Sequence, residues 1–161
     1  MDQNAITSQQ PVFHYAGFWK RFVAYILDQI IIGIIGFFII VPFFALVGIS
    51  LFSSDFEVTD EFIFTVIMGY FSVIILAIAA EWLYFALMES MKGATIGKMA
   101  LGIIVTDLNG NRISFGRATG RYFAKIISSL TLLIGYIMAG FTQRKQALHD
   151  IISGCLVINK S

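Results

Sequence analysis

The chain has 161 residues, of which 58% are hydrophobic and 13% charged, with a formal net charge of +1. Ordinary soluble domains run at roughly 45–50% and about 25%, so this composition excludes a soluble globule and leaves room for a few membrane passes without a separate soluble enzyme. A single cysteine and two histidines exclude an internal disulfide and a metal centre of ordinary ligand count, and no cofactor motif is present.

Residues 1–16 read as a polar tail without the basic start of a cleaved signal peptide, and the long apolar run behind them reads as an uncleaved anchor. Neither end carries a lipidation pattern. The first predicted membrane helix covers about 22–50; Gln29 to Phe52 alone is long enough to cross a hydrocarbon core of about 30 Å. Pro42 should kink it, and Gly33 and Gly36 should let another helix approach closely. Arg21 and Asp28 stand seven residues apart at its start, on one helical face and about 10 Å apart along the axis. An ionisable group at the edge of the hydrocarbon costs several kcal/mol, about 3 on insertion scales, and each of the two therefore needs a partner.

Ser53 to Glu61 is a short acidic loop, followed by a second apolar helix over about 62–88 that is interrupted by Glu81. Ala77, Ala79 and Ala80 suggest a packing face on it, and Trp82 and Tyr84 read as interfacial anchors. No Lys or Arg occurs between Arg21 and Lys92. By the positive-inside rule both termini are cytoplasmic and the acidic loop is external.

The cytoplasmic loop over about 89–116 contains a β-branched run, Leu101 to Asp107. Asn109-Gly110 signals a type I′ turn, with Arg112 to Ser114 returning as a second short strand of a small β-hairpin. Ser114 is a good N-cap for the following helix. That helix carries Arg117, Arg121 and Lys125 at four-residue spacing. The favoured reading rests this stripe on anionic headgroups; the other turns it inward to neutralise Asp28 or Glu81. The segment over about 115–143 is expected as a re-entrant or interfacial helical hairpin broken near Ser128-Ser129, or else as a third span. The hairpin keeps Arg144 and Lys145 inside and keeps Ile103–Thr106 and Leu156–Ile158 on one side, where these strand-like segments can satisfy their backbones. Residues 144–158 form the C-terminal segment. The fold class is an all-α membrane protein with a small cytoplasmic β element, one domain over 17–158.

Three blocks carry a resemblance to a known family. Gly17-Phe18-Trp19-Lys20-Arg21 leads into Ala24 and Asp28; Gly93-Ala94-Thr95-Ile96-Gly97-Lys98 runs on into Leu101-Gly102-Ile103-Ile104-Val105; Gln146-Ala147-Leu148-His149-Asp150 precedes Gly154-Cys155-Leu156-Val157. In this order, and over Ala16 to Ile158, they resemble the RDD family of bacterial membrane proteins. The family's arginine and two aspartates fall on Arg21, Asp28 and Asp150. Cys155 stands where a small hydroxyl residue is usual, Met99-Ala100 replaces a more basic stretch, and Glu81 lies outside the pattern. The resemblance implies a membrane protein with a transport role, some members being linked to exchange of sodium or other alkali cations for protons.

Other chemistries are weakly supported. Gly93 to Lys98 has three residues between its glycines, not four, and Met99 follows where a phosphate loop needs Ser or Thr. His149 and Asp150 are adjacent, so on a helix they point about 100° apart and form no dyad. Cys155 reads as buried filler, and nothing indicates nucleic acid or an enzyme. Two function classes stay open. In ion-coupled transport, Asp28, Glu81 and Asp150 would exchange a monovalent cation for a proton, and two crossings would require a homo-oligomer. In a structural or accessory membrane protein, Arg21, Asp28 and Asp150 would form an ion-pair network locking the C-terminal segment onto the first helix. In both, the three residues are expected to meet at the cytoplasmic end of that helix, one Arg fork serving two carboxylates.

Overall fold

A computed structural model of the chain describes residues 13–52, 57–131 and 134–160. Residues 53–56 of the acidic loop, Asp55 among them, lie outside the described residues. Two long helices dominate: α1, Phe18–Leu51, and α2, Asp60–Lys92. Both are apolar and long enough to cross a membrane, and their apolar stretches are unburied within the protein. This is the pattern of helices whose solvent is lipid. α1 runs through Pro42 as one helix. α2 starts on Thr59, whose hydroxyl accepts from the Phe62 N–H at 3.2 Å, with Asp60 and Glu61 favourably placed in the first turn. It stops at Gly93, whose left-handed backbone (φ 73°) turns the chain back.

Close approach of the two helices occurs where Gly69 faces the Phe43 ring, not at the expected glycines: a Cβ added at Gly33 or Gly36 meets no atom within 4 Å. Ala77 and Ala80 are exposed and Ala79 is half-buried, so the predicted packing face is largely open. Trp82 and Tyr84 also depart from expectation. The Trp82 indole N–H donates to Thr119 Oγ1 at 3.3 Å and its ring lies against Phe115 and Phe123, while the Tyr84 hydroxyl reaches Asp28.

Beyond α2 the chain forms a cap: α3 Ile96–Ala100, β1 Ile103–Asp107, α4 Phe115–Leu130, α5 Ile134–Phe141, α6 Leu148–Ser153 and β2 Cys155–Asn159. The fold is mainly helical with one small antiparallel sheet. β1 pairs with β2, in the register Ile103↔Asn159, Val105↔Val157 and Asp107↔Cys155. The local hairpin predicted from Asn109-Gly110 is reduced to a single bridge between Thr106 and Arg112. A type I′ turn needs positive φ at both central residues, and only Gly110 has it (φ 87°). Asp107 instead takes the Asn109 and Asn111 N–H groups on one carboxylate oxygen, an Asx-type turn. Residues 14–16 join the other edge of β2, Ala16 N–H donating to Val157 and Asn159 N–H to His14. The segment before α1 and the last strand are thereby tied at one end of the helix pair. The buried core lies here, with Ala16, Ala24, Ala86, Ile103, Val105, Ile113, Ala118, Cys155 and Val157.

Ser114 caps α4 as expected, accepting from Arg117 N–H at 3.3 Å. α4 continues through Ser128-Ser129, whose hydroxyls bond back to the carbonyls of Ala124 and Lys125. α4 and α5 meet at 102°. That bend fits a re-entrant hairpin or a broken third span, with the break two to three residues beyond the expected position.

Gly97 is the backbone position that lets the cap seat on α1. A Cβ there would lie 2.1 Å from the Ala24 carbonyl oxygen and 3.0 Å from the Asp28 carboxyl. Gly97→Ala should therefore destabilise the protein by about 3 kcal/mol, the upper range of overpacking. Gly33→Ala should be neutral or stabilising by about 1 kcal/mol, the difference in helix propensity. Thermal unfolding of both variants in detergent checks the contrast.

Candidate functional site

The polar groups of the cap and of the adjacent helix ends form two connected arrangements. The first is built around Asp28, which is fully buried. Its Oδ1 accepts from the Tyr84 hydroxyl at 2.8 Å and the Gly97 N–H at 2.7 Å; its Oδ2 accepts from Thr95 Oγ1 at 2.5 Å. Tyr84 in turn accepts the Ile96 N–H at 3.1 Å. The carboxyl thus gathers α1, α2 and the Gly93–Gly97 turn with neutral donors. No ion pair joins Asp28 to a cation among the described residues.

The second arrangement is a chain of alternating charge. Arg21 donates to Asp150 Oδ2, and its Nε donates to the Ala16 carbonyl at 3.0 Å. Arg121 reaches the other Asp150 oxygen at 2.8 Å and both Glu89 oxygens, at 2.6 and 2.7 Å. Lys98 closes the series on Glu89 Oε1. The order is Arg21, Asp150, Arg121, Glu89, Lys98, from α1, α6, α4, α2 and α3. Asp150 also accepts the Ala147 N–H at 3.0 Å, which caps its own short helix. Two guanidinium groups and this N–H hold the Asp150 carboxyl well below the ordinary carboxylate range, against the opposing effect of burial. Burial lowers the Lys98 ammonium, with Glu89 countering it.

Arg21 and Asp150 therefore meet as the sequence suggests, but Asp28 is not part of their cluster. It needs no guanidinium because three neutral donors satisfy it. Glu81 is half-buried and accepts from Gln29 Nε2 at 3.0 Å, apart from both arrangements. The cationic stripe of α4 divides: Arg117 is exposed, Arg121 is buried in the network, and Lys125 is half-buried with its ammonium 4.0 Å from the centre of the Phe85 ring. The headgroup reading thus fails for Arg121, and the inward reading finds different carboxylates from those expected, Glu89 and Asp150. Glu89 and Lys98 were missed by sequence reasoning. The available signal was that a stripe of three cations entering a cap demands carboxylates on facing elements, and Glu89 is the acidic residue nearest the end of α2.

Contrary to the expectation that these neighbours form no dyad, the His149 ring turns onto Asp150, Nε2 3.5 Å from Oδ1 and Nδ1 3.2 Å from Ser128 Oγ. Burial lowers its pKa to about 3, with Asp150 opposing and the surrounding cations reinforcing the shift. Ser128, His149 and Asp150 thus form a buried hydroxyl–imidazole–carboxylate row, and no metal-holding cluster occurs among the described residues.

The unfolded chain binds a proton on His149 near its ordinary value of 6.5, and the folded chain does so only near 3. Stability therefore falls as pH drops from 6.5 towards 3, by up to about 1.4 kcal/mol per unit from this residue. Asp150, with a depressed folded pKa, contributes stability that is present above the unfolded carboxylate value and lost in acid below it. Thermal melts at pH 7.5 and 5 should show this loss in the native chain and a smaller one in His149→Gln.

Comparison with known proteins agrees with the three sequence blocks. The RDD family profile matches residues 15–154. The chain is 34% identical over 150 residues to the uncharacterized protein YxaI of Bacillus subtilis (strain 168), covering 90% of this chain and 97% of that protein. It is 31% identical over 152 residues to the uncharacterized membrane protein YteJ of the same organism, covering 91% and 82%. No solved structure matches. Matched to the profile over most of its length and carrying two apolar spans, the chain is a membrane protein that belongs to the RDD family.

Proposed function

We propose that this protein is a non-enzymatic structural or accessory membrane protein, whose charged network clamps a compact cap onto one end of two spans. The observation that carries this reading is the saturation of the carboxylates. Asp150 is held between two arginines, Glu89 between Arg121 and Lys98, and Asp28 among three neutral donors. An ion-exchange site needs a carboxylate that gains and loses a proton near neutral pH, whereas Asp150 is held as the anion. The capped face is cytoplasmic and the protein lies in the cell membrane: all eleven Lys and Arg residues lie at or beyond the capped ends of the spans, and none lies between Arg21 and Lys92.

Cation–proton exchange is the second reading, and Glu81 favours it. It is a half-buried carboxyl in a span with an amide partner and no ion pair among the described residues. Asp28 and Asp150 would then only shape the pathway. Two spans do not enclose a path, so this reading entails a homo-oligomer.

Two experiments separate them. In detergent, Arg21→Gln and Asp150→Asn should each lower stability by about 3–5 kcal/mol, the cost of breaking a buried pair. The double variant should lose less than the sum, while Arg21→Gln with Asp28→Asn should be nearly additive. In proteoliposomes with a pH-sensitive dye, the native chain should give no cation-driven proton flux. A flux abolished by Glu81→Gln without loss of stability would establish exchange instead. Orientation follows from labelling Glu57→Cys and Lys160→Cys in a Cys155→Ala background: position 57 should react from outside and position 160 only after permeabilisation.

A further inference from the structure

A cavity of about 390 Å³ opens beside the network, between the first turns of α1 and the α4–α5 corner. Its charged lining is Arg21, Asp28, Lys98, Arg121 and Lys125, and aromatic and aliphatic side chains such as Phe18, Phe22, Phe85 and Ile137 line the rest. By formal charge the cluster holds four cations, Arg21, Lys98, Arg121 and Lys125, against three carboxylates, Asp28, Glu89 and Asp150. Three cations are taken up in the alternating series. Lys125 is left over. No carboxylate oxygen lies within 4.0 Å of its ammonium among the described residues, and it sits over the Phe85 face instead. Glu81 borders a smaller neighbouring cavity together with Lys125 and takes the Gln29 amide; no ion pair joins it to Lys125 among the described residues.

Burial lowers the Lys125 ammonium to about 7, and an anion beside it favours the charged form. The surroundings define which kind. Phe22 and Ile137 are 43% and 45% exposed, so the cavity wall continues into the apolar outer surface of the protein. Trp19, 72% exposed in the first turn of α1 beside Phe18 and Phe22, is an aromatic of the kind enriched at headgroup level. A free inorganic anion would match the ammonium and leave the apolar walls without a complement. We infer that the cavity receives the phosphate of an anionic phospholipid, with Lys125 as its cation and the acyl chains running outward along Phe18, Phe22 and Ile137. The site differs from a generic basic surface in that Arg117, the exposed cation one turn further from it than Arg121, contributes nothing to it.

The test measures phospholipid carried by the full chain through purification in mild detergent, using native mass spectrometry after addition of equal phosphatidylglycerol and phosphatidylcholine. The native chain should retain phosphatidylglycerol preferentially. Lys125→Gln should reduce that retention about fivefold, the effect of one basic residue at a membrane surface; Lys125→Arg should keep it and Arg117→Gln should leave it unchanged. Equal retention of the two lipids by the native chain overturns the proposal, and that measurement needs no variant to fold. So does an unchanged preference in Lys125→Gln, an equal loss in Arg117→Gln, or displacement of the lipid by millimolar inorganic phosphate, which would mark a site for a soluble anion. None of these outcomes depends on whether the alternating network is architectural, which the stability measurements decide separately.

Discussion

The carboxylate of Asp150, shared between Arg21 and Arg121, is the contact on which the arrangement of the cap depends. It joins residues 129 positions apart, the start of the first span and the short helix before the last strand. Either arginine alone would leave one carboxylate oxygen with weaker company, the Ala147 N–H on Oδ2 or the His149 ring on Oδ1, and a buried charge only half compensated. A buried pair broken on one side is costly for this reason, even where the intact pair contributes little net stability. The planar guanidinium suits the role better than an ammonium: Arg121 spans two carboxylates with separate N–H groups, Glu89 on one edge and Asp150 on the other. Alternation of sign gives every member an opposite neighbour, so the series selects one mutual placement of five elements and penalises others. Its contribution is to uniqueness more than to depth of the energy minimum.

Asp28 performs a complementary task at another level of the same helix face. Seven residues separate it from Arg21, almost two turns. Arg21 fastens α1 to the C-terminal segment, whereas Asp28 fastens it to the turn after α2 and to Tyr84. Two anchors on one face, about 10 Å apart, fix both the rotation of α1 and its tilt against the cap, which one anchor does not. The missing side chain at Gly97 belongs to the same device: the backbone N–H reaches the carboxylate because no Cβ keeps it away from Ala24.

Long-range charge pairing was legible in the sequence where charge itself carried the information. An arginine and an aspartate at the lipid edge, and a basic pair shortly before Asp150, imply that the ends converge. Asp28 was assigned to the same cluster because a buried carboxylate calls for a cation; its real partners, a phenol, a hydroxyl and one backbone N–H, carry no charge for a pattern to reveal. Glu89 looked like an ordinary polar residue at the end of a span, and the α4 stripe gave periodicity without saying which side was covered. Strand pairing failed for a related reason. Asn109-Gly110 is a strong local turn signal, yet β1 obtains a full ladder from β2 some fifty residues later, and that partner also brings the edge with residues 14–16. Non-local satisfaction of five backbone positions outweighs a local turn supporting one bridge.

The ion pairs and the hydrogen bonds to Asp28 lie at one end of the helix pair, which makes the two ends physically different. At the cap end, rotation of α1 is opposed by ion pairs and hydrogen bonds with fixed geometry. Towards the opposite end the contacts between the spans are of another kind, with Phe43 on Gly69 and Phe44 beside Tyr70. In lipid such contacts have no hydrophobic driving force, since the acyl chains are as apolar as the side chains they would replace. Packing there is accordingly weaker in specificity, and whatever surrounds the spans, acyl chains or a second copy, competes on nearly equal terms. The cap therefore sets the geometry of the whole membrane unit. Lys125, the cation outside the alternating series, lies at that same end, over the Phe85 ring of α2.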